Sequence, residues 1–271
     1  MTAGQGRGVR IAEPEDPRVA GYREVRERDL AGRGGAFVAE GVVVLEKLLA
    51  AGRHPLESVL VAASRAEALA PLLAQVPPQV PVYFAEQPVM DALVGFHIHR
   101  GVLALGRRTA DPDPAALLRS LPQRALAVVM VGLSNHDNVG GVFRNAAAFG
   151  AGAVLLDAGC CDPLYRKAIR VSVGAALTTP FVRLAPGVDV VDLLEQAGFE
   201  ALALAPAGAT ALADLPRPPR CAVLLGAEGP GLPVEILARA RGVRIPMSGG
   251  FDSLNVAVAS GIVLHHLSRT G

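Results

Sequence analysis

Tryptophan is absent from these 271 residues, and the aromatic share is only 4%. A platform of aromatic side chains for stacking single-stranded bases is therefore not expected; recognition of nucleic-acid shape and backbone would suit such a chain better. Cysteine is scarce as well. Cys160, Cys161 and Cys221 are odd in number, two are adjacent, and no Cys-x-x-Cys or Cys/His ligand spacing occurs. These features argue against a disulfide framework and a structural metal site, so reduced thiols and no metal are expected. No apolar run approaches membrane-spanning length, and the longest near-continuous one, Ala125 to Val131, suits a buried strand. The opening MTAGQGRGVRIAEPEDPR has no hydrophobic signal region, which makes the cytoplasm the expected location. Neither a G-x-G-x-x-G fingerprint nor a phosphate-binding G-x-x-x-x-G-K-[ST] loop is present, which weakens a nucleotide-dependent oxidoreductase reading.

What is present is an apolar, arginine-rich α/β pattern. Half of the chain is apolar (51%) and 19% is charged, a globular composition long enough for two domains. Net charge is +1, so the total does not announce a polyanionic partner. Only Lys47 and Lys167 are lysines, leaving 24 of the 26 basic residues as arginine. Arginine suits planar phosphate recognition, and it clusters at Arg100, Arg107 and Arg108, at Arg166 and Arg170 beside Lys167, and at Arg239, Arg241 and Arg244.

Residues 1–16 read as a flexible tail rich in glycine, proline and charge. Asp16-Pro17 signals a helix start, with Val19, Tyr22 and Val25 on one side. Strands at 37–38, 58–62, 80–84 and 102–105 alternate with helices at 42–51, 65–74 and 88–94, which predicts a small α/β sandwich over 17–106. Residues 107–123 hold Pro112, Pro114 and Pro122 and read as a linker with at most two helical turns. From 124 to 271 the alternation continues. Strands are expected at 125–132, 153–156, 181–184, 200–205, 222–225 and 243–245, and helices at 142–149, 164–172, 188–196 and from Leu254 onwards. That pattern predicts a parallel sheet flanked by helices on both faces.

Polar residues concentrate in three loops at strand C-terminal ends, where open α/β sheets place their ligands. The first holds Asn138 and Gly140, with Arg144 on the helix that follows. The second is GAEGPGL, with Glu228. The third is DSLN, with Ser253 and Asn255 at a helix start. Taken singly, Asn138 and Ser253 read as helix caps, the glycines as turn residues and Arg144 as a surface charge. Three such loops at one rim point instead to a site. His136, a loop histidine near the first motif, reads as incidental; His265 and His266, near a helix C-terminus, read as structural.

NVGGVFRNAAAFG, RVSVGAAL, LLGAEGPGL and IPMSGGFDSLNVAVASGIVL, in this order over 124–271, resemble the motifs of the SpoU/TrmH family of SPOUT-class RNA ribose 2′-O-methyltransferases. The front, with FVAEG at 37–41, resembles the L30e-like RNA-binding domain of many members. The resemblance implies a C-terminal trefoil knot holding S-adenosylmethionine against Leu225, Gly226, Ala227, Glu228 and Gly229, then Ile245, Pro246 and Met247, then Ser253, Leu254 and Asn255. It implies a homodimer and an RNA substrate, either ribosomal RNA or tRNA; the separate N-terminal domain favours ribosomal RNA. Asn138, Arg144, Glu228, Ser253 and Asn255 are then the expected catalytic set. Arg144 matches the family's essential arginine; because guanidinium stays protonated, a phosphate and oxyanion clamp suits it better than a base. Asn138 and Asn255 would orient the ribose, Arg144 or loop backbone, Glu228 would fix Arg144 or polarise the nucleophile, and Ser253 would hold its loop by hydrogen bonding. The rival reading is a catalytically inactive RNA-binding protein of the same fold.

Overall fold

A computed structural model of the chain describes residues 8–23, 35–95, 97–248 and 253–269. Its contacts divide the chain into two compact units, one of residues 1–109 with 164–178, the other of 110–163 with 179–271. The first unit is thus discontinuous. It borrows a segment that the sequence segmentation assigns to the second domain.

The first unit is built on a five-stranded mixed sheet of β1 (Gly8–Ile11), β2 (Ala36–Glu40), β3 (Leu56–Ala62), β4 (Val82–Ala85) and β5 (Val102–Arg107), in the order β1-β4-β3-β5-β2. β1 runs parallel to β4, so the flexible-tail reading of 1–16 fails from Gly8 onwards; residues 1–7 lie outside the described ones. Its short GVRI run was hidden by flanking glycine and proline. At Pro17–Tyr22 the expected helix is a 3-10 turn, started by the Asp16 carboxylate accepting from the Arg18 N–H; Val25 lies outside the described residues. Val19 and Tyr22 of that turn pack with Val38, Leu60, Tyr83, Leu103 and the α3 residues Met90 and Leu93 on one face of the sheet. Helix α3 is Gln87–Val94. Helices α1 (Val42–Ala51) and α2 (Ala66–Leu73) contribute Val44, Leu45, Leu48, Leu69 and Leu72 to the unit's buried set.

His54 is only 3% exposed, and its Nε2 has no hydrogen-bond partner among the described residues. Burial, aided by the Arg53 and Arg108 charges, holds its pKa down at about 4. An unfolded histidine takes up its proton near 6.5, so the unfolded chain binds more protons between these values and stability falls as pH drops through that window. Urea unfolding should show a loss on the order of 2–3 kcal/mol between pH 7 and pH 4 that His54→Gln removes. Equal pH dependence in the two proteins would refute it.

The second unit carries seven parallel strands in the order β10-β12-β9-β11-β6-β7-β8. They are β6 (Ala125–Met130), β7 (Ala153–Leu156), β8 (Phe181–Arg183), β9 (Glu200–Leu204), β10 (Thr210–Ala211), β11 (Arg220–Leu225) and β12 (Arg241–Arg244). The chain lays down β6, β7 and β8 outwards, then crosses back to β9 beyond β11. Reversal of strand order opens a crevice at the strand C-terminal ends. Helices α4 (Pro114–Ser120), α8 (Val190–Gln196) and α9 (Val234–Arg239) cover one face through Leu118, Val190, Val191, Leu194 and Ile236. Helices α5 (His136–Ala148) and α10 (Val256–Arg269) pack together on the opposite face, where Phe143 meets Phe181 edge-on. The expected parallel sheet with helices on both faces is what forms.

Leu118 is fully buried, so the stretch read as a linker supplies a core residue from α4. Its prolines sit before or at the helix start, where they are compatible with it. Helices α7 (Ala175–Thr178) and α9 and strand β10 are too short for periodicity to reveal.

Between α6 (Arg166–Val171) and α7 the backbone turns through Val173 at φ 52° and Gly174 at φ 76°. A β-branched residue in the left-handed region is strained by about 1–2 kcal/mol. Glycine removes that strain at a chain-entropy cost of about 0.5–1 kcal/mol, so Val173→Gly should raise stability by roughly 0.5–1 kcal/mol in denaturant titrations. A loss of stability would show that the valine side chain is needed for packing.

Candidate active site

Helix α5 begins earlier than the sequence reading placed it. Asn135, not Asn138, caps it, its side-chain oxygen accepting from the Asp137 N–H at 2.8 Å. Asn138 therefore lies in the first turn, 6% exposed, and Arg144 two turns further along rather than at the opening. At the other helix of this face, the cap is Asn255 rather than Ser253. Its Oδ1 accepts from the backbone N–H groups of Ala257 (3.0 Å) and Val258 (3.3 Å).

That cap fixes the amide's orientation. With Oδ1 turned to the helix, Nδ2 points outwards and donates to Asn138 Oδ1 at 2.9 Å and to Glu228 Oε1 at 3.0 Å. Residues 117 and 27 positions apart in sequence from Asn255 thus meet on one amide group. All three polar loops converge, and both Nδ2 protons are used.

Asn255 and Glu228 lie in the wall of a cavity of about 480 Å³ in the second unit. It opens at the C-terminal ends of the adjacent strands β12, β9 and β11. Ten residues expected to hold a cofactor line it: Leu225 through Gly229 from the β11 loop, Ile245 and Met247 after β12, and Ser253, Leu254 and Asn255 before α10. Pro246 is not in the lining, although both its neighbours are. The lining also includes Leu204, Ala205 and Pro206 at the end of β9, which the sequence reading left out although it placed a strand there. Strand order would have signalled them, since β9 lies between the two strands already implicated. Gly226 is required by crowding: a Cβ there would sit 2.3 Å from the Gly231 carbonyl carbon.

Arg144 and Ser253 are exposed, and no hydrogen bond or ion pair reaches either side chain among the described residues. The expected Glu228–Arg144 and Ser253 loop contacts are therefore not formed here; Glu228 holds Asn255 instead. Residues 249–252 of the third loop, and with them Asp252, lie outside the described ones. His136 sits in the first turn of α5.

Thiols take no part in the cavity. Burial raises Cys160 to about 12 and Cys161 and Cys221 to about 11, which keeps them protonated at neutral pH. Among the described residues no group of three or more His, Cys, Asp or Glu is placed to hold a metal ion, and no helix is long and apolar enough to cross a membrane.

A family model described as the SpoU rRNA methylase family matches residues 125–265, the span that contains the cavity and the three converging loops. The chain belongs to the SpoU rRNA methylase family. An uncharacterized tRNA/rRNA methyltransferase of Mycobacterium tuberculosis is 39% identical over 96% of this SpoU-family chain and 92% of its own length. A crystal structure of an RNA 2′-O ribose methyltransferase is 28% identical with a TM-score of 0.78, covering 97% of this chain and 99% of that one. An AdoMet-bound rRNA methyltransferase from Sinorhizobium meliloti shares the fold at a TM-score of 0.82 and 23% identity, over 97% of this chain and 98% of that one.

Proposed function

We propose that this SpoU-family methyltransferase transfers a methyl group from S-adenosylmethionine to a ribose 2′-hydroxyl of structured ribosomal RNA. The observation that carries the reading is the Asn255 amide joining Asn138 and Glu228 at the rim of the cavity. It ties the first-motif helix to a pocket of cofactor size, as transfer between two substrates requires.

The cavity suits the cofactor. Leu204, Leu225, Ile245, Met247 and Leu254 offer apolar surface for an adenosine, and the backbone of the β11 and β12 loops offers donors and acceptors. S-adenosylmethionine, when bound, supplies a methyl group on a positively charged sulfonium. A 2′-hydroxyl is a poor nucleophile, so the protein must orient it and manage its proton. Glu228, the one carboxylate in the cavity lining among the described residues, would accept the hydroxyl's hydrogen bond and then its proton, while the bound cofactor would supply the methyl group. Asn255 holds that carboxylate while Asn138 anchors Asn255. Arg144, charged and unpartnered among the described residues, clamps the adjacent phosphate and stabilises the developing oxyanion. Ser253 hydrogen-bonds the cofactor or its loop once the site is filled.

We read the C-terminal segment as the threaded end of a trefoil knot, and the catalytic unit as one half of a homodimer. What supports the dimer is an apolar pair on α10, where Val258 and Ile262 lie four residues apart and remain 53% and 39% exposed. Ile262→Asp should halve the mass seen by light scattering; a wild-type chain that is already monomeric at micromolar concentration would refute the dimer.

The test of function is tritiated-methyl transfer into RNA stripped of modifications and fractionated into large ribosomal, small ribosomal and transfer RNA. Label in a ribosomal fraction is expected. Label in tRNA alone would overturn the substrate, and no label with no cofactor binding by calorimetry would overturn the reading.

A further inference from the structure

Several described arginines are ion-paired. Arg18, Arg107, Arg183, Arg239 and Arg241 each hold a carboxylate. Three exposed arginines of the first unit depart from this: no hydrogen bond or ion pair reaches the side chain of Arg65, Arg100 or Arg170 among the described residues. They come from three separate elements, yet a continuous series of contacts joins them.

Arg65, in the 3-10 turn after β3, lays its stem on Gly101, its Cγ 3.0 Å from where a Cβ would stand. Arg100, the next residue back, crosses Gly41 with its Nη1 at 3.0 Å and Cδ at 3.1 Å from the same construction. Gly41 stands at φ 109°, so a side chain would be both strained and in the way of Arg100. Glu40 precedes it and is bonded to Arg166 at 2.6 Å, with side chains 8% and 17% exposed. Arg170 lies one turn beyond Arg166 on α6, facing the same way. Glu40, the carboxylate in this series, is buried and neutralised by Arg166. Glu67, two residues past Arg65, makes no ion pair with it.

We infer that Arg65, Arg100 and Arg170 form a phosphate-binding ridge for RNA, assembled from both chain segments of the first unit and aligned by the buried Glu40–Arg166 pair. The inference rests on the RNA reading above and specifies which surface docks the RNA. Three unpaired guanidiniums linked through Gly101, Gly41 and the Glu40–Arg166 pair, with Glu40 already neutralised, suit a polyanion. RNA is favoured over DNA because the chain belongs to an RNA-modifying family.

The test measures binding of a labelled stem–loop RNA to the full chain by filter retention across a salt series, for wild type, the triple variant Arg65→Gln/Arg100→Gln/Arg170→Gln, and the corresponding triple lysine variant. Three lost phosphate contacts should lower the log–log salt slope by about 2 and weaken binding about 100-fold at 0.1 M salt. The lysine variant should retain most of both. Cofactor affinity and melting temperature should stay at wild-type values in all three, since these side chains are exposed. An unchanged slope in the glutamine variant, with wild-type methyl transfer intact, overturns the ridge and leaves the methyltransferase reading standing. A lost slope in a protein that transfers no methyl group supports the ridge and sinks that reading instead. Duplex DNA competing as well as RNA overturns the assignment of RNA.

Discussion

Arg144→Ala is expected to lower methyl transfer by about 10³-fold or more, with affinity for S-adenosylmethionine changed less than about twofold. The two effects separate because of where the side chain stands. Arg144 lies on α5, whereas the cavity lining comes from the β9, β11 and β12 loops and the start of α10. No described contact ties it to the cavity wall, so removing it should leave the wall in place. Arg144→Lys keeps the charge but loses the planar fork, and should recover only a small part of the rate. Single-turnover transfer and calorimetric titration, run on the same preparations, decide the matter. A variant that loses cofactor affinity in parallel with rate would contradict the clamp and place Arg144 in the cofactor site.

Glu40→Ala should destabilise the first unit by about 3–5 kcal/mol, because it takes the buried carboxylate away from the Arg166 guanidinium in a largely buried setting. Adding Arg166→Met should restore most of the loss, since two apolar groups replace two charges that paid desolvation to meet. Thermal unfolding followed by circular dichroism should show the single variant melting on the order of 10 °C lower. A loss under about 1 kcal/mol would mean that water reaches the pair. The pair also explains why the first unit is discontinuous: Arg166 opens α6, and its bond to β2 adds that helix to a sheet laid down more than a hundred residues earlier.

Some of this was legible in the sequence. Helix α1 shows its bounds because Gly41 and Gly52 bracket an apolar run broken only by Glu46 and Lys47. β7 and the parallel order of the second unit follow from apolar segments separated by helical spacing. The three polar loops were identifiable as strand-end loops, and their convergence follows from a parallel sheet. Local pattern failed where long-range contact decides. GVRI becomes β1 only because β4 offers an edge, and α4 hides its buried Leu118 among prolines. The capping roles were misplaced for a physical reason: serine and asparagine both cap helices, and only the hydrogen bonds choose between Ser253 and Asn255 or between Asn138 and Asn135. The excursion of 164–178 into the first unit had no local signal at all. Nothing in RVSVGAAL announces that its helix packs on β2.

The central claim is that the acceptor is a ribose oxygen, and the measurement that tests it most directly is alkaline hydrolysis of the labelled RNA. A 2′-O-methyl group blocks cleavage at its own phosphodiester, so the account predicts that the tritium is recovered in one alkali-resistant dinucleotide. Tritium released in mononucleotides would place the methyl group on a base and contradict the account, however efficient the transfer.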